Sequence, residues 1–325
     1  MHRRPKAGRY SCVGPSVDLS AYRHLYPFES RWLDIQGHRY HYVDEGAGEP
    51  VILVHGNPTW SFFFRGLITE LRASYRVIAV DHIGCGCSDK PGDSDYPYCL
   101  ERRVADLDAL VEHLQLGYNL TFGVHDWGGM IGMACALHRA ECVKRLVIFN
   151  TAAFGLPHGT ALPVWLWIVR NLIPLATPLV RGLNAFSYLA TRMACVTRMP
   201  ADVSKAYRAP YDSWANRIAT LRFVQDIPLG PGDRSYKLLR WVEDHLHHLR
   251  GVPMLICWGE RDFVFDAAFL AGWQTRFPEA DVHTFPDAGH YVLEDAGEEI
   301  CPLVHAFLDA HPTGQAAPAP VDIAP

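Results

Sequence analysis

Short, continuously apolar runs recur through the first half of this chain, and their spacing limits the folds open to it more than any other feature. Val51-Ile52-Leu53-Val54 and Tyr75-Arg76-Val77-Ile78-Ala79-Val80 are each followed by a glycine-containing turn, the pattern of strands buried on both faces of a parallel sheet. A helix over residues 64–73 separates them. The alternation continues with a helix over 101–113, a strand at Leu120-Thr121-Phe122-Gly123-Val124, a helix over 129–140 and a strand at Arg145-Leu146-Val147-Ile148-Phe149. Repeated strand–helix–strand units require right-handed crossovers, so the chain is expected to be an α/β protein with an open, mostly parallel central sheet flanked by helices. Ahead of it, residues 31–44 read as an antiparallel hairpin turning at Gln36-Gly37.

After Asn150 this rhythm stops. Residues 154–229 read as helices and loops rich in Trp, Tyr, Phe and Pro, until Pro253-Met254-Leu255-Ile256-Cys257-Trp258 restores a buried strand. A last strand at Asp281-Val282-His283-Thr284-Phe285 and a helix over 298–310 close the chain. The expected organisation is therefore a core of residues 26–153 and 230–312, an inserted helical cap over 154–229, and tails over 1–25 and 313–325. No internal repeat is visible.

Composition narrows the partners. Of 325 residues, 49% are hydrophobic and 20% charged, enough apolar material for a large core. The formal charge of −5 supplies neither a basic stripe for nucleic acid nor a polybasic run for anionic lipid, so a small-molecule partner is expected. The nine cysteines include no Cys-x-x-Cys pair and read as reduced, mostly buried thiols. Residues 1–14 have basic residues but no apolar core after them, which points to a cytoplasmic protein. The most apolar stretch, residues 161–180, is interrupted by Arg170, Asn171, Pro163, Pro174 and Pro178 and reads as an apolar helical flap rather than a membrane span. The composition leaves room for a homo-oligomer.

In open α/β sheets reactive groups gather beyond the carboxyl ends of the strands. Four clusters fall there: His55-Gly56-Asn57-Pro58, Asp126-Trp127, Asp262 and His290. The strongest signal is Gly123-Val124-His125-Asp126-Trp127-Gly128-Gly129, a strand-to-helix turn whose small neighbours hold its central side chain exposed. A carboxylate there is already charged and can attack saturated carbon, becoming an ester. The competing role for Asp126 is a simple helix N-cap. His290, in the loop after the last strand, is placed to activate water as a base. Its orienting acid is expected to be Asp262, because the other eligible strand end, Asn150-Thr151-Ala152-Ala153, has no carboxylate; Glu260 and Asp266 are neighbouring competitors. The amide N–H of Asn57 and the indole N–H of Trp127 can converge on a leaving group that gathers negative charge, while the backbone N–H groups of the same residues can form an oxyanion hole. The loop over 81–91 lacks a dinucleotide or Walker pattern and implies no nucleotide. In the cap, Trp165, Trp167, Phe186, Tyr188, Tyr207, Tyr211, Trp214 and Phe223 are candidates to wall an apolar pocket or to pack cap on core.

With these motifs the sequence resembles the haloalkane dehalogenase family of α/β-hydrolases from about residue 26 to 308. The resemblance rests on His55-Gly56-Asn57-Pro58-Thr59-Trp60-Ser61, His125-Asp126-Trp127-Gly128-Gly129, Asp262 and His290. It implies a nucleophile at Asp126, a base at His290, a supporting acid at Asp262 and leaving-group ligands at Asn57 and Trp127. The implied reaction turns a haloalkane and water into an alcohol, a halide ion and a proton, with no metal or organic cofactor. Asn150 together with Asn57 makes the chain similar to the branch with an Asp-His-Asp triad and an Asn-Trp halide pair. That branch is also similar to bacterial β-lactone decarboxylases of long-chain olefin biosynthesis, through the Asp nucleophile and the Asp81-His82-Ile83-Gly84-Cys85-Gly86 loop. Haloalkane hydrolysis is the first expectation and β-lactone decarboxylation the alternative. Epoxide hydrolases share the Asp nucleophile but rely on two cap tyrosines, for which Tyr188, Tyr207 and Tyr211 are candidates, and Asn57 counts against them. A silent ligand receptor is disfavoured by the intact Asp126, Asp262 and His290.

Overall fold

The computed structural model describes residues 17–313, so residues 1–16 and 314–325 of the expected tails lie outside the described residues. Eight strands form one sheet in the order β1-β2-β4-β3-β5-β6-β7-β8. They are β1 (Arg31–Ile35), β2 (His38–Glu45), β3 (Pro50–Val54), β4 (Arg76–Val80), β5 (Leu120–Asp126), β6 (Val143–Thr151), β7 (Met254–Gly259) and β8 (Asp281–Phe285). The β1/β2 and β2/β4 pairs are antiparallel and the others parallel. The expected hairpin turn is a two-residue loop with Gln36 and Gly37 both at positive φ, 55° and 85°, a twist that matches the flanking strands.

The apolar runs are continuous because both sheet faces are covered. Ile52, Val54, Ile78, Phe122, Val124, Ile148 and Ile256 face one core cluster, while their neighbours Val51, Leu53, Val77, Val147 and Leu255 face another. The first cluster is roofed by α2 (Leu100–His113), α3 (Trp127–Leu137) and, later in the chain, helices over Tyr236–His245 and Ala267–Arg276; the second by α1 (Arg65–Leu71) and, last in the chain, helices over Val292–Asp295 and Gly297–Ala310. Leu19, Tyr22 and Leu25, expected within a tail, pack on the second cluster through a 3-10 turn at Ser20–Tyr22.

Between β6 and β7 the chain leaves the sheet through α4 (Val164–Asn171), α5 (Ile173–Thr177), a π turn (Pro178–Gly182), α6 (Ala185–Met193), α7 (Ala201–Arg208) and α8 (Ile218–Gln225). Pro174 and Pro178 each sit in the first turn of a new segment, which splits the apolar stretch into short pieces. No helix among the described residues is long and apolar enough to cross a membrane. Leu166, Ala176, Val180, Phe186, Leu221 and Val224 give these helices a small core of their own. The chain then returns through α9 (Tyr236–His245), which packs on α3, to β7, α10 (Ala267–Arg276), β8, α11 (Val292–Asp295) and α12 (Gly297–Ala310).

β5 and β6 run two residues beyond the sequence expectation, and α3 starts two residues earlier, at Trp127. A register irregularity between His125 and Asp126 lets strand and helix meet with no loop between them.

Candidate active site

The sharpness of that junction falls on one residue. Asp126 has φ 52° and ψ −126°, a backbone conformation costly for a residue with a Cβ, and it is held there by its surroundings. A Cβ at Gly128 would lie 1.9 Å from the Val54 carbonyl oxygen, so only glycine lets the chain fold back this tightly over β3. The Thr151 hydroxyl donates to the Asp126 carbonyl oxygen. The Asp126 side chain makes no capping bond to α3 and instead lines the cavity bounded by α4, α6 and the π turn, which sets aside the helix-cap role.

The Asp126 carboxylate is buried and heavily contacted. The Asn57 backbone N–H donates to its Oδ1 at 2.6 Å. A Cβ at Gly56 would meet that same Oδ1 at 1.9 Å, so the loop after β3 passes against the carboxylate. That loop is fixed from beneath: His55 Nδ1 is 2.6 Å from the Gly56 carbonyl oxygen, and His55 Nε2 accepts the His82 N–H at 3.1 Å. Burial alone would raise the Asp126 pKa, but the hydrogen bond and charge of His290 and the Trp127 backbone N–H hold it below the ordinary carboxylate value.

His290 stands between two carboxylates. Its Nδ1 is 2.7 Å from Asp262 Oδ2, and its Nε2 is 3.5 Å from Asp126 Oδ2. Burial opposes its charge, yet Asp262 and Asp126 together push its pKa up to about 10. Asp262 is oriented in turn by the N–H groups of Val264 and Phe265, which donate to its Oδ1 at 2.6 and 3.0 Å. Its competitors are elsewhere: Asp266 caps α10 by accepting the Ala268 N–H, and Glu260 is exposed. Asn150 clasps β7 instead, donating from Nδ2 to the Gly259 carbonyl and accepting the Gly259 N–H at 2.8 Å.

The structure thus brings Asp126, His290, Asp262, Asn57 and Trp127 together. Asn57 Nδ2 gives one hydrogen to the Thr220 carbonyl oxygen, 3.1 Å away on α8, and keeps a second. The Trp127 indole N–H has no protein partner among the described residues, and both side chains line the cavity above Asp126. Trp127 is braced by Phe223, whose ring carries the buried Arg103 guanidinium at 3.7 Å.

That cavity has a volume of about 490 Å³ and is walled by aliphatic and aromatic side chains of α4, α6, the π turn and the loop after β7. Asp126 and His290 are the carboxylate and the imidazole in its lining, and no lysine or arginine joins them. Of the eight cap aromatics considered from sequence, Trp165 and Phe186 line it. Tyr207 bonds Glu294, Tyr211 donates to the Thr59 carbonyl at 3.1 Å, and Tyr188 is exposed, so none of the three is placed to protonate an epoxide in the cavity.

Other contributors were not assigned a part from the sequence. His125, its pKa pushed down to about 3 chiefly by burial, stacks on Phe63 and donates from Nε2 to the His290 carbonyl at 2.9 Å. Phe265 lies nearly parallel to the His290 ring, 5.8 Å between centroids. The adjacency of His125 to Asp126 was the one available signal, and it concerned His125 alone.

Comparison with known proteins agrees with this fold. The family described as alpha/beta hydrolase fold matches residues 49–297. A cis-3-alkyl-4-alkyloxetan-2-one decarboxylase of Shewanella oneidensis is 52% identical over 286 residues, covering 87% of this chain and 89% of that protein. Haloalkane dehalogenase 2 of Mycobacterium bovis is 33% identical over 296 residues, covering 89% of this chain and 98% of that protein. Among solved structures, the haloalkane dehalogenase DatA of Agrobacterium tumefaciens superposes with a TM-score of 0.78 at 24% identity, covering 87% of this chain and 97% of that one, a likeness of fold.

Proposed function

Because the chain belongs to the alpha/beta hydrolase fold family, we propose that it is a β-lactone decarboxylase, turning a cis-3-alkyl-4-alkyloxetan-2-one into a cis-alkene and carbon dioxide through an ester at Asp126. The observation that carries this reading is the 52% identity to a protein of that name, against 33% to a haloalkane dehalogenase. The order of the two sequence-based expectations is therefore reversed, and haloalkane hydrolysis becomes the second reading. In both, residues 154–229 serve as the cap over a core of 26–153 and 230–312.

The Asp126 carboxylate attacks ring carbon 4 from the side opposite the ring oxygen. The bond from carbon 4 to that oxygen breaks, its electron pair stays on oxygen, and a free carboxylate is left on carbon 3. The bond from carbon 3 to this carboxylate then breaks, its electrons form the alkene, and Asp126 leaves carbon 4 with the electron pair of the ester bond. Inversion at carbon 4 followed by anti elimination preserves the cis relationship. No water enters and no proton moves.

Each residue has a task in this sequence. The His290 imidazolium, fixed by Asp262, balances the charge that passes from Asp126 to the new carboxylate and back. The Asn57 and Trp127 side-chain N–H groups receive the new carboxylate, and their backbone N–H groups hold the Asp126 oxygen. An apolar cavity favours the second step, because loss of carbon dioxide removes a carboxylate that the walls solvate poorly. The same walls suit two alkyl chains, each buried methylene contributing about 0.8 kcal/mol.

The test offers the purified chain a long-chain cis-β-lactone, a series of 1-bromoalkanes and an epoxide, and measures alkene, halide and diol. Alkene from the lactone at a kcat/KM well above that for halide release is expected. Halide release without alkene would reinstate the dehalogenase reading, and no product from any of the three would leave a receptor.

A further inference from the structure

The cap presents an outer surface that a water-facing protein seldom keeps. Val164, Trp167, Ile173, Leu175, Leu183 and Tyr188, on α4, α5, α6 and the chain between them, are exposed, Val164 and Leu183 at 75% and 74%. Trp165, Leu179, Leu189 and Met193 are exposed as well, and these four also line the cavity. The cavity mouth is therefore continuous with the apolar surface. Apolar surface collected in this way marks an interaction site.

Charge identifies the occupant. The chain has a net charge of −5, yet residues 152–201 contain Arg170, Arg181, Arg192 and Arg198 and no Asp or Glu. Arg170 is paired with Asp233. Arg181 instead lies over the Trp214 ring at 4.8 Å, and Arg192 and Arg208 lie over Tyr188 at 5.1 and 5.2 Å. These three have no carboxylate at ion-pair distance among the described residues. Cationic groups stacked on aromatic rings beside exposed aliphatic side chains match the layering of a lipid interface, with phosphates outside and acyl chains within. The sequence has no polybasic run; folding collects the arginines.

We propose that the outer surface of α4–α6 is an interfacial anchor that lies on an anionic lipid bilayer and opens the cavity toward the acyl chains. The anchoring rests on the cap surface alone. That it delivers a dialkyl lactone from the bilayer rests on the decarboxylase reading, since such a substrate partitions into lipid rather than water. A helix lying in the interface needs no spanning length, in keeping with the short segments of the cap.

Flotation of the full chain with vesicles tests this without any substrate. Phosphatidylcholine vesicles are compared with vesicles of phosphatidylcholine and phosphatidylglycerol in a two-to-one ratio. The wild-type chain is expected to float with the anionic vesicles and to be released by salt, while Val164→Glu/Leu183→Glu partitions about tenfold less. Neither residue lines the cavity, so turnover of a short-chain, water-soluble substrate should be unchanged in the variant, which also shows that it folds. Wild-type protein left in solution with both vesicle types would overturn the proposal, as would equal flotation of the variant. Absence of flotation with a dimer that the double variant disperses would make the surface a contact between copies. None of these readouts depends on whether alkene or halide is formed.

Discussion

Nδ1 of His290 lies 2.7 Å from Oδ2 of Asp262, and both side chains are buried. With Asp126 beyond Nε2, this contact sets the imidazole's pKa, raised from 6.5 to about 10. A raised folded-state pKa on a base means that its contribution to stability is complete below about pH 6.5 and is lost as the pH climbs through about 10. The melting temperature of wild type should fall over that window. In Asp262→Asn the His290-dependent part of the fall should shrink, and kcat should drop roughly a thousandfold as the imidazole loses its orienting charge. An unchanged alkaline slope together with wild-type turnover in this variant would show that Asp262 does not govern His290.

Gly56 is tied to Asp126 by contact. An alanine methyl would fall 1.9 Å from Oδ1, so Gly56→Ala must push either the carboxylate or the loop that carries Asn57. Overpacking of this kind costs about 1–3 kcal/mol, and here the displaced atoms are those of the proposed nucleophile. Chemical denaturation should show a loss of that order, with turnover falling by a far larger factor than the population of folded protein. A variant that is destabilised yet fully active when folded would contradict the placement.

His290→Phe separates the two reactions at one site. With a bromoalkane, Asp126 should still be alkylated, but the ester should persist and add the mass of the alkyl group to the intact protein. With a β-lactone, elimination expels Asp126 without water, so alkene should still form, more slowly for want of the imidazolium. Mass spectrometry of the protein after each incubation reads the outcome. Persistent ester from the lactone would mean that release from Asp126 requires His290 as a base.

Val169, on α4, is one of the apolar residues lining the cavity. Val169→Phe shortens the space for an alkyl chain while leaving the polar end untouched. Long-chain substrates should lose about tenfold in kcat/KM, the worth of two or so buried methylenes, and short ones should be unaffected. A uniform loss across chain lengths would mean that the chain runs elsewhere.

Much of this architecture could be read from the residues, because the signals are local. Strands buried on both faces show as unbroken apolar runs, and the Asp126 turn announces itself through the glycines that permit it. Asp262 could be preferred by elimination, since Asn150 cannot supply a charge; only the fold reveals that Asn150 is a clasp on Gly259. Which cap aromatics face the cavity was not legible, because Tyr207 and Tyr211 are turned away by partners distant in the chain, Glu294 and Thr59. The choice between halogen and lactone oxygen was not legible either. Both leaving groups depart as anions, and Asn57 and Trp127 suit either.

The loop bearing His290 hangs from β8, and β8 is an edge strand bonded on one side to β7 with much of its length open to water. Edges fray before interiors do. Heating should therefore disconnect the imidazole while β5 and its carboxylate remain in place, so that catalysis fails at temperatures where the circular dichroism spectrum still reports an intact protein. The durability of the enzyme is set by its last strand rather than by its core.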